Sequence, residues 1–160
     1  MPGPIDWRTY AIDALYDSIG QRYEAAYADI LAQQRSLEWL LAHLPEPGSR
    51  ILDIGCGTGQ PVASTHSAPP PHEHRVHDID ISPTMIDAAR AAVPSATFEL
   101  VDFWQFQAQP ESFDAVVSYF ALLVAMSQVQ ICETLANVFG WLKPGWLLVL
   151  ATIPADLEHV

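Results

Sequence analysis

Apolar residues in this chain change their period near position 50. Before it, Ile12, Leu15, Ile19 and Tyr23 recur at three- and four-residue steps, as do Leu37, Leu40, Leu41 and Leu44. That spacing lines one face of a helix and predicts helical structure over residues 1–44. Pro45-Glu46-Pro47-Gly48 breaks the pattern. Beyond it, short apolar runs at 50–54, 75–80, 96–103, 112–120 and 146–152 read as five strands separated by helical stretches. Alternation of this kind predicts an α/β fold, a mostly parallel sheet with helices on both faces. Residues 146–152 are apolar at nearly every position, as in a strand buried on both faces. Ser82 followed by Pro83 marks a helix start. Ser127-Gln128-Val129-Gln130 reads as a capping box before a helix ending near Phe139. Pro69-Pro70-Pro71 makes residues 67–74 a loop. The chain divides into a helical cap over 1–44 and a core over 45–160, within one structural domain.

The first strand runs straight into Gly55-Cys56-Gly57-Thr58-Gly59. Glycines at alternate positions let the backbone turn tightly and let a ligand approach it. A loop of this kind after the first strand is where a Rossmann-like sheet binds a nucleotide. The dinucleotide fingerprint G-x-G-x-x-G would need its third glycine at position 60, which is Gln60. An oxidoreductase using a nicotinamide cofactor is therefore disfavoured.

The G-x-G-x-G pattern in Asp53-Ile54-Gly55-Cys56-Gly57-Thr58-Gly59 resembles motif I of the class I S-adenosylmethionine-dependent methyltransferases. The resemblance implies S-adenosylmethionine or S-adenosylhomocysteine as ligand, with Asp53, Gly55, Gly57 and Gly59 among its contacts. Asp80 lies about twenty residues past the loop, where an acid accepts the ribose hydroxyls. Asp78 is the other acid on that strand and stands where the family often has glycine. Ile81 follows the ribose acid. Met85 resembles the residue that packs on adenine, and an ordinary core methionine reads the same way. Asp102 and Phe103 match the acid that takes the adenine amino group and the residue lining the ring, although an Asp here also reads as a turn residue. Tyr119 and Phe120, closing the fourth strand, match residues beside the methionine end, with core packing the plainer role for Phe120. Tyr16 and Tyr23 resemble a pair on an N-terminal helix that folds over the ligand as a lid, and an amphipathic helix rim is the alternative. Trp141-Leu142-Lys143-Pro144-Gly145-Trp146 resembles the turn before strand five, with Trp146 replacing a second glycine.

The chain departs from that family in two places. Pro61 suits the start of the helix after the glycine loop, but the later prolines stop it early. The family has seven strands, and this chain ends at Val160 after the fifth. The expectation is a C-terminally shortened chain whose fifth strand leaves an open edge, so that it self-associates there or exchanges elements between copies.

A formal charge of −12 and a single lysine, Lys143, disfavour nucleic acid and anionic membranes as partners. A small-molecule acceptor fits better. Cys56 and Cys132 form no metal or redox spacing, so a reducing cytoplasm is the expected setting. His66, His72, His74 and His77 match no zinc module, and no metal is expected. Neither a signal peptide nor a membrane span is read.

The resemblance implies transfer of a sulfonium methyl by in-line attack of an aligned acceptor. Tyr10, Tyr16, Tyr23 and His43 are chemically able bases, and none is singled out as catalytic. The competing reading is a binding module or pseudo-methyltransferase subunit without turnover.

Overall fold

The computed structural model of the chain describes residues 31–44, 47–63, 74–122 and 126–152. Helix α1 (Leu31–His43) precedes strand β1 (Arg50–Ile54). Strand β2 (Arg75–Asp80), helix α2 (Pro83–Ala92) and strand β3 (Thr97–Leu100) come next. Strand β4 (Phe113–Tyr119), helix α3 (Gln128–Trp141) and strand β5 (Leu142–Ala151) follow. The strands form one parallel sheet in the order β3-β2-β1-β4-β5. The chain leaves β1 toward one edge and returns across it to β4. Connections therefore diverge at the carboxyl ends of β1 and β4, which opens a crevice there.

Side-chain alternation sorts the core into two faces. Leu52, Ile54, Ile79 and Val116 pack with Val138 and Trp141 of α3. Ile51, Val76, Ala115 and Val117 pack with Leu37 and Leu40 of α1. Under α2, Ile86, Ala89 and Val93 close on Phe98, Cys56 and Ala63. Each fully buried aliphatic side chain of this kind contributes about 1.5–3 kcal/mol. Both helix starts form as their sequences predict. Ser82 Oγ accepts from the Met85 N–H, and Ser127 with Gln130 makes a reciprocal capping box.

Several boundaries differ from the sequence reading. β3 ends at Leu100, because Asp102 starts a turn whose carbonyl accepts from Gln105 and Phe106. β5 begins at Leu142 and meets β4 with a register shift between Phe113 and Ala115. It is not buried on both faces: residues 146–151 are all half-buried. The reason is position, since β5 is an edge strand with β4 on one side and no strand on the other among the described residues. Pro61 and Val62 lie in a turn, and the residues past Ala63 that would carry the expected helix lie outside the described residues. Tyr16 and Tyr23, expected on a lid helix, lie outside the described residues.

Candidate functional site

The glycine loop folds back over the end of β2. The Gly55 and Cys56 N–H groups both donate to the Ile79 carbonyl, at 2.8 and 3.1 Å. Gly59 N–H closes the turn on Cys56 O at 2.9 Å. Gly55 sits at φ +75°, and a Cβ there would collide with Ala121 Cβ. The loops after β1 and β4 thus touch only because position 55 lacks a side chain. Gly57, at φ +55°, faces open space instead. Gly59 packs so tightly that a Cβ would come within 3.3–3.4 Å of Phe98, Ala63 and Ala89.

Asp80 is fixed against this loop. Its Oδ2 accepts from the Gly57 N–H and its Oδ1 from the Ser82 N–H, both at 2.8 Å. A carboxylate oxygen has lone pairs for more than one donor. Ile81 follows, half-buried, and Met85 is buried under the start of α2.

Asp102 and Phe103 stand at the neighbouring strand end. Asp102 Oδ1 caps the turn by accepting from Trp104 N–H at 2.9 Å, while its Oδ2 has no bonding partner among the described residues. Phe103 meets Trp104 and Trp141 edge to face, on the side of the sheet that α3 covers. Tyr119 points the other way. Its hydroxyl is bonded to Ser36 Oγ at 2.8 Å and donates to Gln33 O at 3.3 Å, so it anchors α1. Burial raises the Tyr119 pKa, the Ser36 bond opposes that rise, and Asp53 adds to it.

Sequence reasoning missed two features. Ser118 Oγ donates to Ile54 O and accepts from Leu122 N–H, which ties the ends of β1 and β4 together beside the loop. A serine in an otherwise apolar buried strand was the available signal. Phe120, directly after, is held at φ +61°. The second feature is a carboxyl pair. Asp53 and Asp78 are partners in the β1–β2 register, and both are buried. Burial raises Asp53 well above the usual carboxylate range, with Asp78 and then Asp80 adding to it. Burial also pushes Asp78 up, to about 7. Two like charges this close do not both ionise readily, so the pair holds a proton near neutral pH.

A family profile described as "Methyltransferase domain" matches residues 51–145. An O-methyltransferase of Pyrenophora dematioidea is 28% identical over 134 residues, covering 80% of this chain and 48% of that protein. A trans-aconitate 2-methyltransferase of Variovorax paradoxus is 29% identical over 147 residues, covering 91% of this chain and 49% of that protein. This chain therefore spans about half the length of these curated relatives. A TehB-like S-adenosylmethionine-dependent methyltransferase from Corynebacterium glutamicum superposes with a TM-score of 0.65 at 26% identity, over 83% of this chain and 70% of that one. The profile covers more than half the chain, from β1 through the glycine loop, Asp80 and Asp102 to the turn within β5, and the chain belongs to the methyltransferase-domain family.

Proposed function

We propose that this chain binds S-adenosylmethionine across the carboxyl ends of β1 and β2 and passes its methyl group to a small-molecule acceptor. The observation that carries this reading is the Asp80–Gly57 contact. A carboxylate is pinned beside a stretch of backbone whose one missing Cβ faces open space. Those two features fit a nucleoside with an amino-acid tail. The ribose needs an acceptor for its hydroxyls, and the tail needs bare backbone beside it. Asp80 would hold the ribose, Gly55, Gly57 and Gly59 would shape the cradle, and Ile81, Met85, Asp102 and Phe103 would flank the base. The phenol of Tyr119 is bonded to α1, so its part is to position that helix.

Bound cofactor supplies an electrophilic methyl. The chain's share of the work is to bind, orient and exclude water. A general base is needed only where the acceptor must lose a proton. His43 is stacked on Trp39 and bonded to its carbonyl on an exposed stretch of α1, which gives it a local partner and no substrate-facing role. The net charge of −12 supports a small acceptor over nucleic acid, as does the kinship with a trans-aconitate 2-methyltransferase.

Calorimetry with S-adenosylmethionine, with NAD as the contrast, tests binding. Turnover on a mixed pool of phenols, amines, thiols and carboxylic acids tests transfer. Binding without turnover assigns the chain to a binding module and removes the enzymatic reading. Asp80→Ala is expected to weaken S-adenosylmethionine binding by about 1–3 kcal/mol through lost charge-assisted hydrogen bonds. Equal affinity in both proteins removes the ribose assignment.

Association of two copies along β5 is part of the proposal. Its outer edge is apolar, half-buried and without a strand partner among the described residues, and such edges pair with other chains. Val149→Lys should impair assembly in analytical ultracentrifugation. A monodisperse wild-type monomer at tens of micromolar refutes the idea.

A further inference from the structure

Beneath the glycine loop lies a charge that ribose binding leaves unused. Asp78 is fully buried, and apart from the Asp53 carboxyl its oxygens meet no hydrogen-bond partner among the described residues. Its register partner Asp53 faces it from β1. Asp80, two residues along β2, is the acid already bonded to Gly57. Among the described residues, the other ionisable groups near this pair are the Cys56 thiol in the loop and the Tyr119 phenol on β4. Burial pushes that thiol upward, and Asp53, Asp80 and Asp78 add to the shift. Tyr119 also feels Asp53. From α1, Ser36 and Gln33 reach Tyr119, and neither ionises. From α2, Met85, Ile86 and Ala89 are buried and apolar. Among the described residues no lysine, arginine or histidine acts on either carboxyl. The acids do not converge as a metal-ligand set among the described residues.

A buried acid pair without a counter-ion is poised for a cation. The ligand of the site just described carries two positive groups, an ammonium and a sulfonium. Its demethylated product keeps only the ammonium.

We propose that the Asp53–Asp78 pair holds one proton in the free protein and releases it to solvent when S-adenosylmethionine binds, becoming the full counter-charge to the cationic end of the cofactor. The step breaks one carboxyl O–H bond, sends the proton to the buffer and moves no electrons. It rests on the cofactor reading above. The pair then favours the charged cofactor over the spent product, because loss of the sulfonium charge draws the proton back.

Calorimetry of the wild-type chain at pH 7, in buffers of different ionisation enthalpy, reads the proton count directly. The expected result is release of about half a proton or more per S-adenosylmethionine, and clearly less per S-adenosylhomocysteine. Affinity for S-adenosylmethionine should rise about five- to tenfold from pH 6 to pH 7 and level off by pH 8. Asp78→Asn should abolish both effects, and Asp78→Gly serves as a second variant. No release in the wild type, equal release with the two ligands, or release unchanged in a folded variant each overturns the inference. Failure of either ligand to bind at any pH overturns the cofactor reading and this inference with it. The wild-type series does not depend on any variant folding.

Discussion

Gly55→Ala is expected to destabilise the protein by about 3 kcal/mol, whereas Gly57→Ala should fold nearly as well as wild type and bind cofactor poorly. Both positions have positive φ, so alanine costs each about 1 kcal/mol of backbone strain. The difference lies in what the new methyl meets. At position 55 it runs into Ala121 Cβ, an atom fixed to the backbone that cannot rotate away. Overpacking of this kind adds about 1–3 kcal/mol. Separating the two loops would also strain the Ser118 bonds that join Ile54 to Leu122. At position 57 the methyl enters open space in the protein, which is the space the ligand is proposed to fill. An affinity loss of about tenfold or more, or roughly 1–2 kcal/mol, follows from that intrusion. Urea denaturation and calorimetry on both variants separate the two effects. Equal stability losses at the two positions would mean that the Ala121 contact does not constrain the loop.

Asp78→Asn should stabilise the protein at pH 8 and do little at pH 4. The native Asp78 pKa is raised to about 7, mainly by burial, against about 3.9 in an unfolded chain. Between those values the folded protein binds more protons than the unfolded one, so wild-type stability falls as pH rises from about 4 to about 7. Above that window the loss is complete and the curve flattens. Asparagine presents the same shape without a charge and escapes the loss. The gain at pH 8 is on the order of 2–4 kcal/mol, or a rise in melting temperature of roughly 5–15 °C. Asp53 keeps its own burial-driven shift, so the variant retains a residual slope. Parallel pH–stability curves for the two proteins would show that Asp78 does not titrate in this window.

What could be read from the sequence depended on how local the signal was. β1 and β4 were legible because most of their residues are apolar, and burial in the sheet explains why they are so. The nearness of Asp80 to the glycine loop was legible because its distance from the glycines is set by one crossover. The caps at Ser82 and Ser127 lie within four residues of what they bond and formed as read. The end of β3 was misjudged, because Asp102 bonding its own turn is a better local solution than three more residues of strand. The burial of β5 was misjudged for the opposite reason. Its apolar sequence is the same whether or not a neighbour covers it. The direction of Tyr119 and the Asp53–Asp78 pair were out of reach, since each depends on which residues two separate elements bring together. Register alone aligned the two acids, and each looked ordinary within its own motif.

The lone lysine has a practical consequence. Lys143 pairs with Asp114, whose other carboxyl oxygen accepts from the Arg50 N–H, so the ammonium lies where β1, β4 and β5 begin. The strands are parallel, and the glycine loop stands at their far ends. The Lys143 side chain is 39% exposed. Amine-reactive coupling through that side chain would therefore tether the protein by the end of the sheet opposite the crevice. A dye or a sensor surface attached there would hold the ligand mouth outward and free.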